Sequence, residues 1–221
     1  MTYFYTNGCQ YNSNLDILTF NKLIEENKKK YFYKDGISEY IEKWKSALSQ
    51  IYFSELKSQF NLIHDDFFSY EIFNNNGINL SLHFNINKAE EFLKYTPIQK
   101  VPLTKFATKD NITEQSNILF STPDFFDSKH DYINDVSPII IINLILNNMK
   151  YLVIDGNHRV AKKIASKKMY VNASLLEVDY TIDLFYSKFE MAVYCFLIEG
   201  ELINKYDDFS FSKVNYFLNL I

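Results

Sequence analysis

The spacing of apolar residues along this chain changes several times, and each change predicts a change of element. Over residues 15–28 the spacing is helical, with Leu15, Leu18, Leu23 and Ile24 on one face and Ser13 or Asn14 available as a cap. Gly36 breaks the pattern. Ile41, Trp44, Leu48, Ile51 and Tyr52 then recur at three and four, which predicts an amphipathic helix from about Ser38, its cap, to about Leu62. Beyond it the period falls to two. FFSYEIF and GINLSLHFNI flank a turn at 74–77, and Ile78, Leu80, Leu82, Phe84 and Ile86 alternate with polar residues as in a half-buried hairpin. His83 falls on the polar side of that alternation and is expected to be solvated. Asn87, with Glu90 three residues on, predicts a capped short helix through KAEEFLKY that Pro97 ends.

From residue 98 the pattern is different. QKVPLTKF reads as a strand, a polar loop follows, and FFDSKHDYIND predicts a helix. Pro138 then introduces IIIINLIL, a β-branched run without alternation, the signature of a strand buried on both faces. Asn147 and Asn148 turn the chain back into the strand MKYLVID. A helix, HRVAKKIASKK, and a strand, MYVNASLLEV, come next, and TIDLFYSKFEMAVYCFLIEGELIN reads as helix. The expected fold class is α+β. Residues 1–96 form a helix–helix–hairpin extension, 97–180 a core with a mixed sheet, and 181–221 a C-terminal helical segment that packs on the core.

Composition narrows the function. Formal net charge is -4, so nucleic acid is a disfavoured partner, because phosphate contacts demand basic excess. No CxxC or His/Cys cluster suggests zinc. Cys195, in MAVYCFLI, reads as a buried thiol. The longest apolar runs are about eight residues, too short to span a bilayer. MTYFYTNGCQ has no secretory pattern, so the expected location is cytoplasmic.

Arg159 is the sole arginine among 23 basic residues, and it stands in VIDGNHRVAKKI. A strand ending in Asp155, then Gly156 and Asn157, then a helix, is a turn suited to an anion. Gly156 allows a sharp turn and close approach of a ligand. Asn157 is expected as the N-cap. The first N–H groups of the helix and the side chains of His158 and Arg159 would then point at a phosphate. Val160, Ala161, Ile164 and Ala165 are expected to face the sheet; Lys162, Lys163, Lys167 and Lys168 are expected in solvent. Asp155 could hold Mg²⁺ or orient a hydroxyl. Such an anion site has one physical condition. A corner packed shut, or a guanidinium committed to a permanent internal ion pair, would remove it.

The order VPLTKF, SPIIIINLILNNMKYLVIDGNHRVAKKI and VNASLLEV resembles the core of the ParB/sulfiredoxin superfamily over residues 98–179. The resemblance implies a nucleotide- or phosphate-binding turn at 155–159. Sulfiredoxins carry a reactive cysteine where Asn157 stands, so their reduction of sulfinic acids is not expected. ParB proteins, which bind CTP, continue into a helix-turn-helix domain and a dimerisation tail, whereas about forty residues follow the core here. The free-serine kinases of the superfamily carry a similar Asp-Gly-His-His-Arg turn and a glutamate base after a VPL-like strand. Glu114, in ITEQS, is the nearest match to that base. Asp124, Asp127, His130 and Asp131 could fold over the ligand or lie on a surface helix.

The resemblance thus implies a phosphotransferase using ATP or ADP, with CTP as the variant, and Mg²⁺, acting on a small hydroxyl-containing acceptor. Catalysis would fall to Glu114 and Asp155, and phosphate binding to Gly156, Asn157, His158 and Arg159. A non-catalytic nucleotide-gated regulator or partner-binding module is the alternative, and a ParB-like nuclease the third reading. Oligomeric state is left open.

Overall fold

In the computed structural model the described residues are 21–22, 24–25, 36–57, 67–73, 79–123, 131–146 and 149–205. Their elements run α1 (Ile37–Lys57), β1 (Phe67–Phe73), β2 (Asn79–Asn85), α2 (Ile86–Phe92), β3 (Ile98–Pro102), β4 (Phe106–Ala107), β5 (Ile118–Leu119), β6 (Ile139–Leu146), β7 (Met149–Asp155), α3 (Asn157–Ala165), β8 (Tyr170–Leu176), α4 (Val178–Asp183) and α5 (Lys188–Lys205). Two short 3-10 turns, Leu93–Tyr95 and Leu103–Lys105, flank β3. The class is α+β. The chain divides into two compact units, one containing 84–184 with Phe67 and Phe68, the other containing 36–57, 69–73, 79–83 and 185–205.

The first unit is built on a six-stranded mixed sheet of order β3-β8-β6-β7-β5-β4. The β-branched run of β6 lies in its interior, antiparallel to β7 and parallel to β8. Ile139 to Ile142 are all buried, so both faces of this strand are covered and its lack of alternation is explained. Ile139, Ile141, Val153, Val171 and Ala173 form one core cluster with Val160 of α3. β3 pairs antiparallel with β8 at one edge. Directly after the polar loop, Ile118 and Leu119 form β5, two buried residues that run parallel to β7. A two-residue strand is too short to show any period, and only its pairing makes it an element.

Caps fell one or two residues from their expected places. α2 is capped by Asn85, whose Oδ1 accepts the Lys88 N–H at 2.9 Å, and not by Asn87. The C-terminal helical stretch is interrupted. Tyr186 N bonds to His83 O at 3.0 Å, and Ser187 Oγ accepts the Glu190 N–H at 3.0 Å, so α5 begins afresh after Ser187.

In the second unit α1 and α5 pack on each other, with Trp44 edge-on to Phe196 at 5.6 Å. Two glutamates of α5 are buried. Glu199 Oε2 accepts from Tyr40 Oη at 2.7 Å and from Trp44 Nε1 at 2.8 Å. Glu190 takes the backbone N–H of His83 at 2.9 Å and approaches its Nδ1 to 2.8 Å. His83, expected in solvent, is therefore a buried partner of a carboxylate. Alternation along β2 could not show this, because Glu190 lies 107 residues away in sequence.

Glu199→Ala removes the carboxylate that accepts from two buried donors, Tyr40 and Trp44, and should cost about 2–4 kcal/mol. Urea unfolding followed by the fluorescence of the single tryptophan, Trp44, checks this directly, and a loss under about 1 kcal/mol would reject it. Burial pushes the Cys195 thiol up to about 12, with Glu199 adding to the effect. Iodoacetamide at pH 8 should leave Cys195 unmodified in the native protein and label it after denaturation, as read by peptide mass mapping.

Candidate functional site

β7 carries Asp155 to the end of the sheet, and a single residue, Gly156, turns the chain into α3. Gly156 has φ 87 and ψ 18, the left-handed region open to glycine at little cost. It also has no room for a side chain. A Cβ built there would overlap Cγ2 of Ile139 and lie 2.9 Å from Arg159 Nη2. The close approach expected of a ligand at Gly156 is thus made by β6 and by Arg159. Gly156, not Asn157, occupies the N-cap position.

Asn157 is the first residue of α3 and is fully buried. Its Nδ2 donates to Val153 O at 3.2 Å and its Oδ1 accepts Ser121 N at 2.8 Å. That amide ties the helix start to β7 and to the segment after β5. Its side-chain amide is therefore engaged within the fold on both sides, where the sequence suggested a cap or a phosphate contact. The helix phase differs as well. Asn157, Val160 and Lys163, three residues apart, form the buried stripe, while Ile164 is 38% exposed.

The guanidinium is not free. Arg159 Nη2 donates to Asp155 Oδ2 at 2.6 Å, one helical turn away, and Nη1 stands 3.7 Å from Asp135 Oδ2. The arginine side chain is 12% exposed, Asp135 15% and Asp155 37%. The guanidinium is thus already engaged by carboxylates of the same chain. Any anion that reaches Arg159 must compete with two carboxylates of the same chain. Asp155, the more exposed of them, is the group that solvent cations reach first.

Residues 131–136 lie against α3, and they do not continue a helix. Asp131 Oδ1 accepts the N–H groups of Ile133 (3.2 Å) and Asn134 (3.1 Å), and its Oδ2 takes Asn134 Nδ2 at 2.8 Å, which fixes a turn. Tyr132 stacks on His158 with centroids 5.3 Å apart and planes at 17°. Lys163, expected in solvent, donates from Nζ to Ile133 O at 2.8 Å and to Asp135 O at 2.7 Å. Desolvation lowers its ammonium from the ordinary lysine value, Lys168 and Arg159 add to that, and Asp135 and Asp131 oppose it. Asp124, Asp127 and His130 lie outside the described residues.

Glu114 is exposed in a tight loop closed by Ser116 N–H to Thr113 Oγ1 at 3.0 Å. No hydrogen bond or ion pair joins Glu114 to Asp155 or Arg159 among the described residues. Nor do the described residues hold any group of three or more His, Cys, Asp or Glu able to bind a metal by themselves. Sequence reasoning missed Asp135, Lys163 and Tyr132. The one available signal was the three-residue spacing of Lys163 from Val160, which sets the lysine at the border of the buried face. No protein-family model, curated protein or solved structure matches the chain. Among the described residues no helix is long and apolar enough to cross a membrane.

Gly156→Ala should destabilise the protein by about 2–4 kcal/mol, combining a left-handed backbone with a clash in a filled core. Chemical denaturation measures this; a change below about 1 kcal/mol would mean that Ile139 yields easily.

Proposed function

We propose that the Asp155–Arg159 pair is the resting state of a Mg²⁺–nucleotide phosphate site, and that the protein is a non-catalytic, nucleotide-responsive module with a ParB/sulfiredoxin-like core. One observation carries the reading. The carboxylate and the guanidinium hold each other at 2.6 Å across the glycine start of α3, with Asp155 37% exposed. A bare anion meets Asp155 and is repelled. A phosphate that arrives with its cation gives each member of the pair a new partner. Asp155 would hold Mg²⁺, which commonly takes one or two protein carboxylates and completes its shell with phosphate oxygens and water. Arg159 and the first turn of α3 would hold the phosphate oxygens. The metal contributes charge neutralisation there, and the exchange leaves no buried charge unmatched.

The non-catalytic reading is preferred because the phosphotransferase reading needs a base within reach of the acceptor. Glu114 is exposed, and among the described residues no hydrogen bond or ion pair joins it to the corner. The nuclease reading has the net charge of -4 against it.

Thermal unfolding with ATP, ADP or CTP, each with and without Mg²⁺, tests the proposal. At about 100 times its dissociation constant, the matching Mg²⁺–nucleotide should add about 2.7 kcal/mol, on the order of 5–10 °C in Tm. Without Mg²⁺ the shift should shrink. Arg159→Ala should abolish it, and Asp155→Asn should make it independent of Mg²⁺. Absence of any shift in the native sequence, or a full shift in Arg159→Ala, overturns the reading. Phosphate transfer to a small alcohol that is lost in Glu114→Gln would restore the catalytic alternative.

A further inference from the structure

Arg159 faces a second carboxylate besides Asp155. Asp155 already gives the guanidinium a short hydrogen bond. Asp135 stands at 3.7 Å, beyond hydrogen-bond distance. Its other oxygen, Oδ1, is spent on the Ser137 N–H at 2.8 Å. The carboxylate is therefore held within its own segment and faces Arg159 at ion-pair distance. That segment is fastened at four points. Lys163 grips the carbonyls of Ile133 and Asp135, Asn172 Nδ2 donates to Val136 O at 2.8 Å, and Tyr132 stacks on His158. Three of the four fastenings belong to α3, the helix that bears Arg159.

A guanidinium can grip phosphate with two parallel N–H donors, either on its two terminal nitrogens or on Nε and one of them. Here Nη2 faces Asp155 and Nη1 faces Asp135. Mg²⁺ can relieve only the first, since Asp155 is the exposed member. A phosphate that takes both terminal nitrogens displaces the second.

We infer that residues 131–136 form an autoinhibitory strap in which Asp135 stands in for a ligand phosphate on Arg159, with Lys163 as the positioning residue that latches the strap to α3. The inference rests on the phosphate reading of this corner. A ligand that takes Nη1 expels the Asp135 carboxylate and loosens the strap, so occupancy of the site is reported on the outer surface by residues 131–136. Lys163 keeps its backbone acceptors when the Asp135 carboxylate is neutralised, so Asp135→Asn separates the charge from the latch. The amide oxygen can still accept the Ser137 N–H, which preserves the local turn.

The test uses the full chain with two probes, Mg²⁺–ATP and Mg²⁺–pyrophosphate, at constant ionic strength. Affinity is measured by calorimetry for the native sequence and for Asp135→Asn. Hydrogen exchange of the amides of 133–137 is followed with and without probe. Asp135→Asn should bind about three- to tenfold tighter, the scale of one partly buried charge pair. In the native sequence, probe binding should speed exchange in 133–137 several-fold. Binding by Asp135→Asn alone also supports the strap. Native binding with unchanged or weaker affinity in Asp135→Asn overturns the strap and leaves the phosphate site standing, as does exchange that stays the same or slows on binding. No binding by either protein overturns both. Should Asp135→Asn unfold, seen in circular dichroism, the exchange measurement on the native chain decides alone.

Discussion

The close approach of Gly156 to Ile139 is the constraint on which the corner depends. A residue with a Cβ would push α3 away from β6. With glycine there, the helix starts one residue after the strand ends, and Asp155 and Arg159 fall one helical turn apart. Ion pairing follows from that geometry. Asn157, buried between Val153 and Ser121, locks the same junction from inside with hydrogen bonds to both neighbours. An unpaired amide at that depth would be costly, so its two bonds are a condition of the fold.

The corner also shows how one helix can serve packing and charge together. The stripe Asn157–Val160–Lys163 is buried, yet only Val160 is apolar. Lys163 satisfies its ammonium with backbone carbonyls of the overlying segment, which turns a desolvation cost into a positional constraint on 131–136. In the second unit the same logic recurs with the opposite sign. Glu190 and Glu199 are buried on α5, and each is satisfied by donors from elsewhere in that unit: His83, Tyr40 and Trp44. Such networks favour one arrangement of the helices, because any other leaves a polar group stranded.

Much of the first unit's outline was legible. The β-branched run at 139–146, the hairpin to 149–155, the helix after Asp155 and the closing strand all have periods long enough to read, and all are present. So was Gly156, whose positive φ a turn this short demands. The two-residue strands β4 and β5 were not legible, since pairing alone defines them. The position of the cap shifted by one residue for a similar reason. Asn157 suits a cap by propensity, but a buried site with two partners outweighs the modest gain of capping.

What the sequence determined by itself is local: where the chain extends, where it coils, which residue can turn sharply, and that the one arginine follows it by three positions. Which charges meet was decided by tertiary structure. Asp135 and Arg159 are 24 residues apart, and Lys163 and Ile133 are 30 apart. Such pairings depend on the sheet bringing distant segments alongside α3. Periodicity reports only on neighbours within a turn or two, so the sequence could name the guanidinium but not what holds it.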